Sequence, residues 1–150
     1  MILVDANLLL YSANHAAPEH DRARTWLDGR LNGTARVGLP WPSLLAFVRL
    51  ATNPSVVKQP ASARDAWQRV TAWLSCQTAW APKPGEHHAD ILGRPLQLPF
   101  MKSRLVADAH LAALALEHGL TLCSTDGDFA KFPDLKWLNP LSAGALRSEI

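Results

Sequence analysis

Short apolar runs alternate along the chain with longer segments in which apolar residues recur at helical spacing. The first run, 1–4, contains strand-forming residues and ends at Asp5, and the apolar pattern resumes from Leu8 to Tyr11 as a helix. Similar runs predict further strands near 35–39, 78–81, 120–124 and 135–138. Strands that alternate with helices favour βαβ units. We therefore expect one α/β domain, with a mostly parallel sheet of four to five strands between two helical layers (α/β/α).

Apolar periodicity and capping residues predict five more helices. Pro18 opens one helix, with acids in its first turn, and Ser62 begins the capping box of another. Ser103 can cap a helix that Gly119 closes. The predicted helices cover 18–31, 44–52, 62–74, 86–92 and 103–118. Two prolines make 93–102 the expected irregular loop.

Tryptophan is frequent in this chain, with six residues. Trp26, Trp67 and Trp73 fall at core-facing helical positions, so we expect all three to be buried. The remaining apolar helix surface leaves room for a face that contacts another protein chain.

Composition indicates an ordinary globular domain. The chain has 150 residues, of which 48% are hydrophobic and 19% are charged. No basic segment precedes the first apolar run, and the longest apolar region, 105–116, is far shorter than the ~20 residues of a membrane span. We therefore expect a soluble cytoplasmic protein in which Cys76 and Cys123 are reduced core thiols.

Three acids follow the carboxyl ends of predicted strands. Asp5 ends the first strand, and ligands of open α/β sheets bind at this edge. Asp126 and Asp128 follow the strand 120–124, and Phe129 anchors the far side of their turn. Taken alone, Thr-Asp-Gly-Asp is better explained by ordinary turn chemistry. Its position at the same edge as Asp5 favours a shared site.

A fourth acid, Asp108, interrupts the apolar face of the helix 103–118. The apolar residues on its own side are Leu105, Leu111, Ala112 and Ala115. Glu117 and His110 lie on the opposite side. Because a buried carboxylate is costly unless it is paired, Asp108 predicts either a salt bridge to a buried Arg or a metal ligand.

Carboxylates that meet at one sheet edge from three distant parts of the chain suit a hard cation such as Mg²⁺ or Mn²⁺. Such an ion favours hydrolysis of phosphodiesters. The net charge of the chain is only +2. If four of its acids share the site, the other nine acids are opposed by 15 Lys and Arg residues, so that the rest of the protein carries a net charge of +6. This balance is compatible with a phosphodiester substrate.

Four blocks of the sequence, in this order, resemble the PIN-domain ribonucleases. The blocks are Ile-Leu-Val-Asp-Ala-Asn at 2–7, the segment 39–54, Asp-Ala-His-Leu-Ala-Ala-Leu-Ala at 108–115 and Ser-Thr-Asp-Gly-Asp-Phe at 124–129. Within that family the likeness is greatest to the VapC toxins of toxin–antitoxin pairs, especially the mycobacterial-type set. The resemblance covers nearly the whole chain, so we assign 1–140 to a PIN domain and 141–150 to a C-terminal tail.

The resemblance implies an endoribonuclease that depends on Mg²⁺, or Mn²⁺ in its place, and cuts structured RNA such as tRNA or ribosomal RNA. It also implies inhibition by a cognate VapB-type antitoxin, and homodimerisation is common in the family. The residues at the positions of catalytic, metal-binding carboxylates are Asp5, Asp108 and Asp126, with Asp128 as a further acid. Asn7 and Ser124 stand where the family has small polar residues that support the site.

One position departs from the family pattern. A Glu normally lies in the helix after the second strand, directly before an aromatic residue, and Ala46 stands there before Phe47. No Asp or Glu between Asp28 and Asp65 replaces it. Because fewer ligands imply weaker metal binding, two readings stay open: an active ribonuclease toxin, and a weakened PIN domain that binds RNA or antitoxin without cutting.

Three basic residues are candidate contacts to the RNA backbone. Arg49 lies one turn from Ala46, and Lys102 and Arg104 flank the start of the helix that carries Asp108. A surface or partner contact is the equal alternative for Arg49. A solvated helix end is the equal alternative for the other two.

The histidines are weaker candidates for a catalytic or metal-binding site. His87 and His88 are adjacent on a helix and do not face one another, so exposed histidines are favoured over a metal pair. His110 lies opposite Asp108, which favours a structural or interfacial role.

A third reading is a receiver or phosphatase-like α/β domain with an acidic pocket. It shares the sheet and the Asp cluster and predicts a phosphoaspartate. No block of the sequence favours it.

Overall fold

The computed structural model describes residues 1–142 of the chain. Its strands are β1 (Ile2–Val4), β2 (Val37–Gly38), β3 (Ala79–Trp80), β4 (Thr121–Cys123) and β5 (Trp137–Leu138). All of them are parallel and form one sheet in the order β3-β2-β1-β4-β5. The central strand β1 pairs Leu3 with Gly38 of β2 on one side and with Leu122 of β4 on the other.

Helices connect the first four strands. They are α1 (Ala6–Ala13), α2 (His20–Leu31), α3 (Trp41–Ala51), α4 (Ala63–Leu74), α5 (His88–Leu96) and α6 (Val106–His118), with 3₁₀ turns at Ser103–Leu105 and Gly127–Lys131. Ser62 Oγ accepts a hydrogen bond from Asp65 N at 3.0 Å, which confirms the predicted cap of α4.

Two apolar cores lie on opposite faces of the sheet. Ile2 and Val4 pack into one core with residues of α1, α2, α3 and α4. Leu3, between them, packs into the other core with α6 and Phe129. This alternation along a single strand follows from the period-two geometry of β structure. The predicted α/β/α fold with a parallel sheet is confirmed.

The predicted loop at 93–102 is wrong in its first part. Helix α5 runs to Leu96 and includes Pro95, whose side chain is buried. A proline lacks the backbone donor of a helical residue, and Pro95 lies one residue before the end of α5. The buried side chain of Pro95 therefore outweighs the local signal to stop.

The start of α6 also differs from prediction. Ser103 caps nothing with its side chain and instead begins a 3₁₀ turn, so that α6 starts at Val106. The predicted end is confirmed, because Gly119 adopts φ 66° and ψ 37°, the left-handed conformation that glycine tolerates best.

Trp67 is not a core residue. Trp26 and Trp73 are buried as predicted, whereas 46% of Trp67 is exposed. The buried stripe of α4 consists of Ala66, Val70 and Trp73. Because residue 67 lies about 100° round the helix from residue 66, it falls on the edge of this narrow stripe, outside the contact with the sheet.

Two further side chains differ from expectation. His88 is largely buried, where His88 Nδ1 lies 3.1 Å from Glu117 Oε2 and His88 Nε2 lies 3.1 Å from His110 Nδ1. His87 is exposed as predicted. The contact between α5 and α6 creates this His88 environment. Neither cysteine forms a disulfide within residues 1–142, but only Cys123 is a core thiol, because Cys76 is half-buried.

The described start of the predicted C-terminal tail packs on the domain. Leu141 is buried, and its carbonyl accepts a hydrogen bond from Arg22 Nη1 at 2.8 Å. The rest of the predicted tail, 143–150, lies outside the described residues, so the domain division stays a prediction. Within residues 1–142, each helix is too short or too polar to cross a membrane.

Candidate active site

Asp5 lies at the carboxyl end of the central strand. It is the N-cap of α1, and its Oδ1 accepts a hydrogen bond from the backbone N–H of Ala6 at 2.8 Å. Its own backbone N–H donates to the carbonyl of Cys123 at 3.0 Å. Burial raises the pKa of Asp5, although hydrogen bonds from Ser124 and Ala6 oppose that rise. The fold thus fixes a carboxylate in a place where its negative charge is poorly solvated.

The hydroxyl of Ser124 joins the ends of β1 and β4. Ser124 is fully buried, and its Oγ donates to Asp5 Oδ2 at 2.8 Å. The same oxygen accepts hydrogen bonds from Asn7 Nδ2 and from the backbone N–H of Asp126, each at 3.0 Å. Trp137 Nε1 donates to the Ser124 carbonyl at 3.1 Å. One side chain therefore holds Asp5, Asn7 and the Asp126 turn together.

Asp126 serves both the turn and the acidic edge. Its Oδ1 accepts a hydrogen bond from the backbone N–H of Asp128 at 2.9 Å, which caps the 3₁₀ turn that follows. Phe129 is fully buried and anchors this turn in the core. The turn chemistry and the site chemistry predicted for Asp126 are therefore compatible, because each can use a different carboxylate oxygen.

Asp108 reaches the same edge from the first turn of α6. Burial raises the pKa of Asp108 to about 6, with further increases from the negative charges of Asp126, Asp5 and Asp128. Arg104 opposes this rise only weakly. Asp108 has no ion-pair partner within residues 1–142, so the alternative of a buried Arg finds no support there. Asp108 is therefore close enough to the other three acids for their negative charges to raise its pKa.

Asp128 differs from the other three acids because two cations hold it. Its Oδ2 lies 2.6 Å from Arg104 Nη1, and its Oδ1 lies 3.0 Å from Lys131 Nζ. The hydrogen bond from Arg104 and then that from Lys131 hold the pKa of Asp128 below its usual value. The sequence reading missed Lys131, although its spacing of three residues from Asp128 on a helical turn is a usable signal.

The donor chemistry of this edge fits a divalent metal ion. Asp5, Asp108 and Asp126 supply oxygen ligands of the kind that Mg²⁺ and Mn²⁺ prefer. Their negative charges repel one another, which raises the pKa of Asp5 and of Asp108 further above the effect of burial. As the side chains stand in residues 1–142, no three His, Cys, Asp or Glu are positioned to hold one ion. For one ion to be bound by all three carboxylates, these side chains would have to move closer together.

The structure does not connect the other predicted residues to this network. Arg49 and Lys102 are exposed on the surface, on α3 and just before the first 3₁₀ turn. Ala46 is half-buried on α3. Helix α3 contains no acid, so no residue of this helix replaces the missing Glu.

Comparison with known proteins gives one family. The family described as PIN domain matches residues 2–135. The ribonuclease VapC37 of Mycobacterium tuberculosis is 44% identical over 140 residues, which cover 93% of this chain and 97% of the relative.

Solved structures agree in fold. VapC20 of Mycobacterium tuberculosis, a toxin that cleaves the sarcin-ricin loop, superposes with a TM-score of 0.66 at 17% identity, over 87% of this chain and 94% of its own. VapBC2 of Rickettsia felis, bound to a DNA fragment from its promoter, superposes with a TM-score of 0.65 at 16% identity, over 93% of this chain and 98% of that one. At this identity the likeness concerns the fold alone.

Proposed function

Because this chain belongs to the PIN-domain family and, within it, to the VapC ribonucleases, we propose that it is the toxin of a VapBC pair and cuts structured RNA, either tRNA or ribosomal RNA. The observation that carries this proposal is the hydrogen-bonded junction at Ser124, which sets Asp5 and Asp126 at one edge of the sheet. Asp108 completes the acidic group from α6.

Each polar residue has a separate role in the proposed reaction. Asp5, Asp108 and Asp126 would hold Mg²⁺ or Mn²⁺, with Asp128 as a further acid. The bound ion would activate a water and balance charge on the phosphoryl oxygens. Ser124 and Asn7 orient the Asp5 carboxylate, as hydrogen-bonding neighbours of metal ligands do in other sites. Asp108 has the fewest fixed contacts and is therefore the acid best able to turn toward an ion.

Positive side chains outside the acidic edge would bind the RNA backbone. Arg49 and Lys102 are exposed and available to phosphates. Arg104 is ion-paired with Asp128 through one nitrogen, and 60% of its side chain remains exposed. A phosphate could therefore bind the free part of this guanidinium without breaking the ion pair.

The same proposal covers the binding partners of the protein and its location in the cell. A VapB-type antitoxin is the expected inhibitor, since the Rickettsia felis neighbour of the same fold is a VapBC2 structure. A homodimer in the cytoplasm is the expected form.

Mapping of RNA ends tests the proposal directly. After the protein is induced in a bacterial host, 5′ ends across total RNA should show cuts at a few positions in tRNA or ribosomal RNA. The same protein with Asp5→Asn should inhibit growth less and leave these positions intact. Purified protein that cuts no cellular RNA with either ion, together with unchanged growth inhibition by the variant, would overturn the proposal.

A weakened enzyme is the second candidate, and Ala46 favours it. If the missing Glu impairs cleavage, Ala46→Glu should raise the cleavage rate by roughly tenfold or more, since an added carboxylate strengthens the metal site. The rate of cleavage of a mapped RNA site at several Mg²⁺ concentrations measures this.

The matched control is Ala46→Gln, which adds the same bulk without the charge and should give no gain. An already active protein whose rate does not rise with Ala46→Glu rejects the weakened reading. The ribonuclease activity named for the relative VapC37 favours that outcome.

A further inference from the structure

Two tryptophans form an exposed ring pair on α3 and α4. The rings of Trp41 and Trp67 are nearly parallel, with an interplanar angle of 18° and a centroid distance of 6.2 Å. Exposure is 37% for Trp41 and 46% for Trp67. We call these two residues the Trp pair. Its flat indole surface faces water and is not needed to fill either core of the described residues.

The Trp pair begins at the catalytic edge of the sheet. Trp41 is the first residue of α3, and two residues separate it from the end of β2. The register of β1 and β2 pairs Leu3 with Gly38. β1 and β2 are neighbouring parallel strands, so the strand ends that lead into Asp5 and into Trp41 lie at the same edge of the sheet. The Trp pair therefore begins at the edge that carries the carboxylate of the proposed active site.

The surface around the Trp pair is positively charged. Arg49 lies about two turns after Trp41 on α3, Arg64 lies one turn before Trp67 on α4, and both arginines are exposed. Neither arginine makes an ion pair in the part of the chain that the structure describes. Asp65 is the only acid on α3 or α4. An anionic ligand would meet little repulsion on this surface.

We propose that the Trp pair stacks an unpaired base of the RNA substrate while Arg49 and Arg64 contact the adjoining phosphates. The assignment rests on the ribonuclease function proposed above and adds a determinant of which RNA is cut. Proteins recognise unpaired bases by stacking them on aromatic rings and leave paired bases in their helices. An enzyme with this surface beside its acids should prefer a loop to a duplex.

RNA fits the observations better than a protein partner does. A protein interface usually depends on a cluster of apolar side chains with few charges at its centre. Here the one large exposed aliphatic residue beside the Trp pair on α3 is Leu45, and the charges on both helices are predominantly basic. Flat rings flanked by guanidinium groups match the alternation of base and phosphate along an RNA strand.

The test uses the full chain carrying Asp5→Asn, so that RNA is bound but not cut. The probes are an RNA hairpin with 2-aminopurine in its single-stranded loop and a fully paired duplex with 2-aminopurine in the stem. Stacking on an indole quenches the fluorescence of this base. Affinity and quenching are measured for each probe in parallel, and sedimentation reports the oligomeric state of every variant.

Trp67→Ala should weaken hairpin binding by about tenfold and remove the quenching, while duplex binding changes by less than about twofold. Trp67→Phe should restore most of the affinity, because its ring can still stack. The matched control is Leu116→Ala, which removes an apolar side chain that is 36% exposed from α6 and should change the binding of neither probe.

Each other outcome overturns the assignment. If the hairpin binds well and Trp67→Ala alters neither affinity nor quenching, the Trp pair has no role and the ribonuclease proposal stands. If Trp67→Ala weakens both probes equally, base stacking is excluded. If Trp67→Ala converts a dimer into monomers, the Trp pair contacts a second copy of the chain. If the parent protein binds neither probe, the proposed function and the assignment fail together.

Discussion

Asp5→Asn should lower the rate of RNA cleavage by roughly 100-fold or more, because it removes one negative oxygen from the proposed metal site. Asn is also a good N-cap, and its one side-chain oxygen can accept the hydrogen bond from Ala6, whereas its NH2 group replaces the oxygen that accepts from Ser124. The pKa of Asp5 is raised in the folded state, so its charge weakens the fold; removing that charge offsets the lost hydrogen bond, and the melting temperature should change little. Single-turnover cleavage of a mapped RNA site, with a thermal melt of the same sample, measures both quantities.

Asp128→Asn is the matched control for this loss. Asp128 is already ion-paired with both Arg104 and Lys131, so it has less charge to share with an ion. Its substitution should leave considerably more activity than Asp5→Asn does. Equal residual rates for the two variants would refute the ranking and would place Asp128 among the principal ligands.

Asp108→Asn should stabilise the metal-free protein at neutral pH. The pKa of Asp108 is about 6 in the folded state, against an ordinary value of 3.8 for an aspartate in the unfolded chain. Protonated Asp108 therefore contributes to the stability of the folded protein. This contribution is complete below pH 3.8 and is lost as the pH rises through about 6. A fully buried group with this shift would cost about 3 kcal/mol above pH 6, and solvent screening of this half-exposed group reduces the cost to about 1 kcal/mol.

Thermal melts in EDTA across pH 3 to 8 test this prediction. The melting temperature of Asp108→Asn should exceed that of the parent by roughly 3 °C at pH 7.5 and match it at pH 3.5. Asp128→Asn should behave in the opposite way, because its low folded pKa contributes stability above the unfolded pKa that is lost as the pH falls. A parent that is more stable than Asp108→Asn at pH 7.5 would contradict the raised pKa.

Added Mg²⁺ provides a second readout on the same samples. An ion that binds the folded protein raises its melting temperature in proportion to the logarithm of its concentration. The parent should show this rise, and Asp108→Asn should show much less of it. Equal shifts in both proteins would remove Asp108 from the proposed ligand set.

The order of elements and the acidic edge were predictable because their signals are local. Asp5 and Asp126 follow strands whose apolar runs are visible in the sequence, and parallel strands end at one edge. Asp108 was identifiable because it interrupts an apolar helical face. The resemblance to PIN-domain ribonucleases added the identity of the family, which periodicity alone does not supply.

The errors in the sequence reading share a physical origin. Trp67 was predicted to be buried because it lies within about 60° of Val70 on α4, and only the actual contact of α4 with the sheet shows how narrow the buried stripe is. His88 was predicted to be exposed, because nothing near it in sequence reveals Glu117 and His110 on α6. In both cases the environment comes from another element.

The sequence by itself determined the order of strands and helices and which acids follow strand ends, because both depend on neighbours within a few positions. Only the tertiary structure decided how those acids differ. Ser124 meets Asp5 across 119 residues, and Arg104 meets Asp128 across 24. Packing of distant elements therefore sets their charges, leaving Asp5 and Asp108 with raised pKa values and Asp128 with a lowered one.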